Sequence, residues 1–293
     1  MQLQERLAKV LQLRIIHASL TVALFAMGIF PTHAIATQDS ATPENANELV
    51  RKVVNHELSS EDHNHWMYTD TTEEDGKKKT KLVIETNDGD VSYLISLNDQ
   101  PLTEGQRRAE EKRLDAYIND PDTTRDRNRA KAKDDQKTEQ LFAMLPDAFL
   151  FTKEGREGEN LKLAFKPNPD FSPRSREAYI LHQMEGYVVV NVKKDRLVQI
   201  EGRLTHEVRF AGGLLGHLNE GGTFDVHREE IAPSCWDVTH MKVNMNGVAL
   251  FFHTINVRES EDQTDFKPAP DGLTLSAARD MVHKLAQVKS MNY

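Results

Sequence analysis

The chain has 293 residues, 38% of them hydrophobic and 28% charged, with a formal net charge of −9 and a mean hydropathy of −0.60. Its length allows a sizeable core, and its acidic balance argues against nucleic acid as a partner. The single cysteine, Cys235, excludes an intramolecular disulfide.

At the N-terminus, Arg6, Lys9 and Arg14 precede an apolar run from Ile15 to Phe30, followed by Ala34-Ile35-Ala36. This three-part pattern is that of a cleavable export signal, residues 1–36, cut near Ala36. The run is interrupted by His17, Ser19 and Thr21, and is shorter than the ~20 apolar residues of a membrane span. Removing a segment of charge +2 from a chain of −9 leaves −11 on residues 37–293, which read as a single exported, periplasmic domain. Cys235 lies far from the apolar run, where a lipid-attachment cysteine would sit, and reads as a buried, inert thiol beside Trp236.

After a polar leader, Glu44 to Leu58 places Val50, Val53, Val54 and Leu58 at helical spacing behind an acidic start. Trp66 and Tyr68 then alternate with polar neighbours, and Glu73 to Lys79 forms a charged turn. Leu82 to Ile84 leads into Asp88-Gly89, which predicts a two-residue hairpin loop with Ile84 facing Tyr93 and Leu82 facing Ile95. From Glu104 to Gln140 the chain is crowded with charge and broken at Pro121, which predicts two charged helices forming a solvated hairpin over the sheet.

Beyond Pro146 short strands predominate to about Val257, among them Ala178 to Met184 and Tyr187 to Val192 around Glu185-Gly186. Their turn signals predict a meandering antiparallel sheet. Asn246-Gly247 predicts a further two-residue hairpin loop, pairing Met245 with Val248, Val243 with Leu250 and Met241 with Phe252. The same register sets His240 opposite His253. Two imidazoles there could chelate a divalent ion, but a zinc site generally needs three or four protein ligands, so a surface cross-strand pair is the better reading and no metal or other cofactor is expected. Ser276 to Val288 supplies a closing helix.

Other chemistry-bearing patterns do not hold up. His63-Asn64-His65 lacks companion ligands, and neither His56-Glu57 nor His206-Glu207 is followed by a second histidine at zinc-helix spacing. The Gly212 to Gly216 and Gly221-Gly222 stretches lack the Lys-Ser/Thr of a phosphate loop, and no Gly-x-Ser-x-Gly elbow occurs. The expectation is a non-enzymatic protein.

The order of signal, amphipathic helix, Trp66-to-Tyr68 strand, Leu97 to Thr103 segment, and long meander through Gln199-Ile200-Glu201-Gly202 resembles the periplasmic lipoprotein-sorting proteins of the LolA/LolB-like superfamily. Leu145 to Phe149 and Gly212 to Leu218 strengthen a likeness to their bacterial relatives. The resemblance implies an α+β, mainly β, fold: a curved antiparallel half-barrel whose concave face is covered by helices and holds a lipid or lipoprotein acyl chain. Residues 104–140 are then an insertion with no counterpart in the sorting proteins. The apolar strand faces nominate Trp66, Tyr68, Ile84, Tyr93, Phe165, Met241, Val243, Leu250 and Phe252 as wall residues for such a ligand. The alternative is a structural or sensory envelope protein that docks a protein partner through the charged hairpin.

Overall fold

In the computed structural model, residues 43–60, 64–210, 216–249 and 253–290 are described. The export segment, His63, Gly212 to Leu215, and the wall candidates Leu250 and Phe252 lie outside them. None of the described helices is long and apolar enough to cross a membrane.

The described chain is mainly antiparallel sheet with five helices. Helix α1 (Pro43–Ser59) comes first, as its valine spacing predicts. Strands β1 (Trp66–Glu74), β2 (Lys77–Ile84), β3 (Val91–Leu97) and the short β4 (Gln100–Pro101) follow. The charged segment forms α2 (Glu104–Asn119) and α3 (Pro121–Ala148). Thr103 and Gln106 close a capping box on α2, and Asp120 caps α3 through the N–H groups of Asp122 and Thr123. Then come β5 (Phe149–Glu157), β6 (Asn160–Pro167), α4 (Arg176–Leu181), β7 (Met184–Asn191) and β8 (Arg196–Leu204). Strands β9 (Val208–Phe210), β10 (Gly216–Leu218), β11 (Thr223–Ala232), β12 (Cys235–Ala249) and β13 (His253–Pro268) lead to α5 (Leu275–Ser290).

The strands form one open sheet in the order β4-β3-β2-β1-β13-β12-β11-β8-β7-β6-β5, with β10 beside β12 and β9 beside β10. Residues opposite one another in an antiparallel register share a face. The face carrying Val243 and Met241 is covered by α1 and the C-terminal end of α3, which together bury the larger core. Among the described residues, the other face is covered at the β2 and β3 end, where α2 and α5 pack over Leu82, Ile84, Val91 and Tyr93. Helices therefore flank both faces rather than one.

Four local expectations are corrected. Asn246-Gly247 is not a turn: β12 runs straight through it, pairing Asn246 with Asn256 and Gly247 with Ile255, and reverses only beyond Ala249. Glycine is needed there because β10 pairs alongside, Leu218 opposite Gly247, and a Cβ on Gly247 would lie 2.2 Å from the His217 carbonyl oxygen. His240 consequently faces Asp262, whereas His253 stands opposite Ala249. Val248 falls on the face opposite Met245, so the expected pairing of these two does not form.

Asp88-Gly89 lies in a connection spanning residues 85–90, in which the Gly89 N–H donates to the Thr86 carbonyl at 3.2 Å. This moves the register, so Ile84 faces Val91 and Leu82 faces Tyr93. The true two-residue loop is Asp75-Gly76, both with positive φ (50° and 75°), joining Glu74 to Lys77. Ala178 to Met184 is not a strand: Ser175 accepts from the Ala178 N–H and starts α4, which buries Ala178, Ile180 and Leu181. Cys235 is half-buried rather than buried, with its Sγ 3.6 Å from Asn64 Nδ2.

Candidate functional site

The largest continuous apolar surface lies beneath α1. Strands β5 to β8, β11 and β12 contribute Phe151, Leu163, Phe165, Val188, Val190, Ile200, Phe224, Met241, Val243 and Met245 to it, all buried. They sit at alternate positions of their strands, so the pleat sends them to one face; around Ile200, Phe224, Met241 and Val243 the intervening residues are polar. Phe149, Phe151 and Phe165 form an aromatic corner, the closest pair being Phe149 and Phe165 with ring centres 4.8 Å apart in a T-shaped contact. Helix α1 lays Ala46, Val50, Val53 and Val54 on this surface, while Leu141, Phe142 and Leu145 of α3 close one side. Each buried valine contributes on the order of 1.5–3 kcal/mol of transfer free energy.

The rim of α1 is held by polar contacts. Asn47 Nδ2 donates to the carbonyls of Pro146 (3.0 Å) and Phe149 (2.7 Å), and the Phe151 N–H donates to Asn47 Oδ1 (3.0 Å). Arg51 pairs with Asp147 and Lys52 with Asp195, both pairs at 2.7 Å and substantially exposed. At the other end, Glu57 enters the interior between two guanidinium groups: Arg228 Nη1 at 2.5 Å and Arg196 Nη1 at 2.9 Å. The Leu197 N–H also donates to Glu57 at 2.8 Å. Burial alone would push the Glu57 carboxyl up, but Arg228, the Leu197 N–H and Arg196 together hold it below the usual carboxylate range. Arg228 is 5% exposed, donates to the Trp236 carbonyl at 3.1 Å, and has no well-aligned hydrogen bond at Nε or Nη1.

A second buried carboxyl, Glu85, behaves oppositely. Burial and the neighbouring Asp90 carboxylate raise it to about 8, although it accepts the Trp66 N–H at 2.9 Å. The connection that carries it is clamped by α3, through Asn128 to the Asp88 carbonyl (2.8 Å) and Lys131 to Asp90 (2.6 Å).

The nominated wall residues are distributed among three clusters. Phe165, Met241 and Val243 lie in the packed apolar cluster under α1. Ile84 and Tyr93 lie on the opposite face beneath α2 and α5, where Leu114 and Tyr117 join them. Trp66 and Tyr68 share the α1 face but pack with Val83 and Phe266 beside the larger cluster, and Tyr68 stacks on Phe266 at 5.2 Å. A groove of about 750 Å³ is lined by Glu73, Asp75, Lys242, Arg258 and Glu259 together with Val243 of the larger cluster. Sequence reasoning missed Asn47, Glu57 and Arg228. Glu57 and Arg228 are far apart in the chain and carry no local signature, whereas Asn47 among the valines of an amphipathic helix was a visible polar intrusion. For metals, no group of three or more His, Cys, Asp and Glu is arranged to hold an ion among the described residues.

No family model and no curated protein matches the chain. Among solved structures it is similar to a DUF1329 family protein from Desulfovibrio piger, at 11% identity over 79% of this chain and 95% of that one, with a TM-score of 0.29. A likeness at that level is a weak structural neighbour and carries no argument about function. The lipoprotein-sorting resemblance therefore rests on the strand and turn pattern of the sequence, and membership of that family is not shown.

Proposed function

We propose that the chain is an exported, non-enzymatic binding protein that holds the acyl chain of a lipid or lipoprotein against the apolar face beneath α1. The observation that supports this reading is the cover itself. A surface extending over six strands is closed across its middle by one 17-residue helix, whose rim contacts include two exposed ion pairs worth roughly 0–1 kcal/mol each. Displacing the Ala46, Val50, Val53 and Val54 stripe would offer a hydrocarbon chain an equivalent apolar wall. The charged α2–α3 hairpin is pinned to the sheet along its inner side by Arg113, Asn128 and Lys131.

The test is lipid analysis of the protein purified under mild conditions, followed by titration with an apolar fluorescent probe. Copurifying lipid and saturable probe uptake, displaced by a long-chain fatty acid and several-fold faster in an Arg51→Ala/Lys52→Ala variant, are expected. Finding neither lipid nor saturable uptake would overturn the reading.

A further inference from the structure

The face of the sheet opposite the larger apolar cluster carries an ordered row of polar side chains. The registers Tyr187 to Glu201, Glu201 to Asp225, Gln199 to His227, His227 to His240, and His240 to Asp262 set them on one side across β7, β8, β11, β12 and β13. They are hydrogen-bonded in sequence. Tyr187 donates to Glu201 (2.7 Å), Gln199 Nε2 reaches Tyr187 (3.1 Å) and Asp225 Oδ1 (2.9 Å), and the other oxygen of Asp225 holds His227 Nε2 at 3.0 Å. Across the strand, Asp262 Oδ1 holds His240 Nδ1 at 2.6 Å. The two imidazoles meet edge to face, ring centres 5.6 Å apart and planes at 72°.

Each histidine thus has one nitrogen occupied by its own carboxylate. A carboxylate acceptor fixes the N–H on that nitrogen and leaves the lone pair on the other, His227 Nδ1 and His240 Nε2, which is how metal-binding histidines are oriented. With metal–nitrogen bonds of ~2.1 Å and a tetrahedral angle, two imidazoles on one ion have ring centres about 5 Å apart. The observed ring-centre spacing of 5.6 Å is close to that value. Both rings are partly exposed, at 40% and 33%, so an ion can reach them and solvent can complete its coordination.

We propose that His227 and His240 form a two-imidazole chelate for a late first-row divalent transition ion, with water in the remaining positions and Asp225 and Asp262 as positioning residues. Imidazole pairs favour Ni²⁺, Cu²⁺ and Zn²⁺ over the hard cations that prefer oxygen. The site is separate from the apolar cluster beneath α1 and uses none of its residues.

Calorimetric titration of the untagged, chelator-stripped protein with Ni²⁺ tests this. One ion per chain is expected, with His227→Ala and His240→Ala each weakening binding at least tenfold, and His253→Ala leaving it unchanged. Asp262→Asn should weaken it by about 10–100-fold, as loss of such a partner does at metal sites. Circular dichroism checks the fold, and His227→Gln and His240→Gln serve where alanine disturbs it. Absence of stoichiometric binding, or wild-type affinity in the folded His227→Gln/His240→Gln double variant, would overturn the proposal.

Discussion

Two buried carboxyls titrate in opposite directions and make stability depend on pH from both sides. Glu57 is held below its ordinary value, so its stabilising contribution is complete above pH ~4.5 and is lost as pH falls through the lowered folded value. Glu57→Gln leaves Arg228 buried without a counter-charge and is expected to cost about 3–5 kcal/mol at neutral pH, measured by urea unfolding. Glu85 is raised from 4.5 to about 8, so the folded state holds a proton that the unfolded chain has released, and stability falls as pH rises across that window. Glu85→Gln keeps an acceptor for the Trp66 N–H. It is expected to match the wild type near pH 5 and to exceed it progressively toward pH 8, by on the order of a few kcal/mol at ~1.36 kcal/mol per unit. Unfolding curves at pH 5, 7 and 9 check this, and equal slopes in the two proteins would contradict it.

At the scale of the element, Gly247 shows why a strand can pass through a turn-like dipeptide. Gly247→Ala brings a Cβ to 2.2 Å from the His217 oxygen, so β10 must move off β12. A loss of about 1–3 kcal/mol is expected, with amide protection of Gly216, His217 and Leu218 falling first, as read by hydrogen exchange. The break between the two charged helices was legible in the sequence because its cause, Pro121, is local; the caps at Thr103 with Gln106 and at Asp120 are equally local but were not read. Turns were less legible. Asp75-Gly76, Asp88-Gly89 and Asn246-Gly247 look alike as dipeptides, yet only the first closes a two-residue loop. The other two are decided by distant partners, Tyr117 and Asn128 packed around Gly89, and β10 alongside Gly247. Because register follows the turn, one misplaced loop also moved the partner of His240 from His253 to Asp262.

At the scale of the molecule, the cores on the two faces differ greatly in size. The cluster beneath α1 contains 29 buried apolar residues and the cluster beneath α2 and α5 only 8 among those described. Opening free energy follows buried apolar contacts, so native-state hydrogen exchange in rising denaturant should show β3 and α5 exchanging at lower cost than β7 and β8. Coincident exchange of both would mean that α3, 28 residues and ~42 Å long, ties the faces into a single cooperative unit. The apolar strand faces were legible in the sequence, but their division into separate clusters was not, since it depends on which helix covers which side. The helix α1 also affects the molecule beyond its own cluster. Strand β5 is the last in the sheet, and Asn47 answers its outward Phe149 carbonyl and Phe151 N–H as a neighbouring strand would. That single amide thus fills two of the outward-facing backbone positions at the start of this edge. Asn47→Ala is therefore expected to make concentrated solutions polymerise edge to edge, visible as rising light scattering, even while most molecules remain folded.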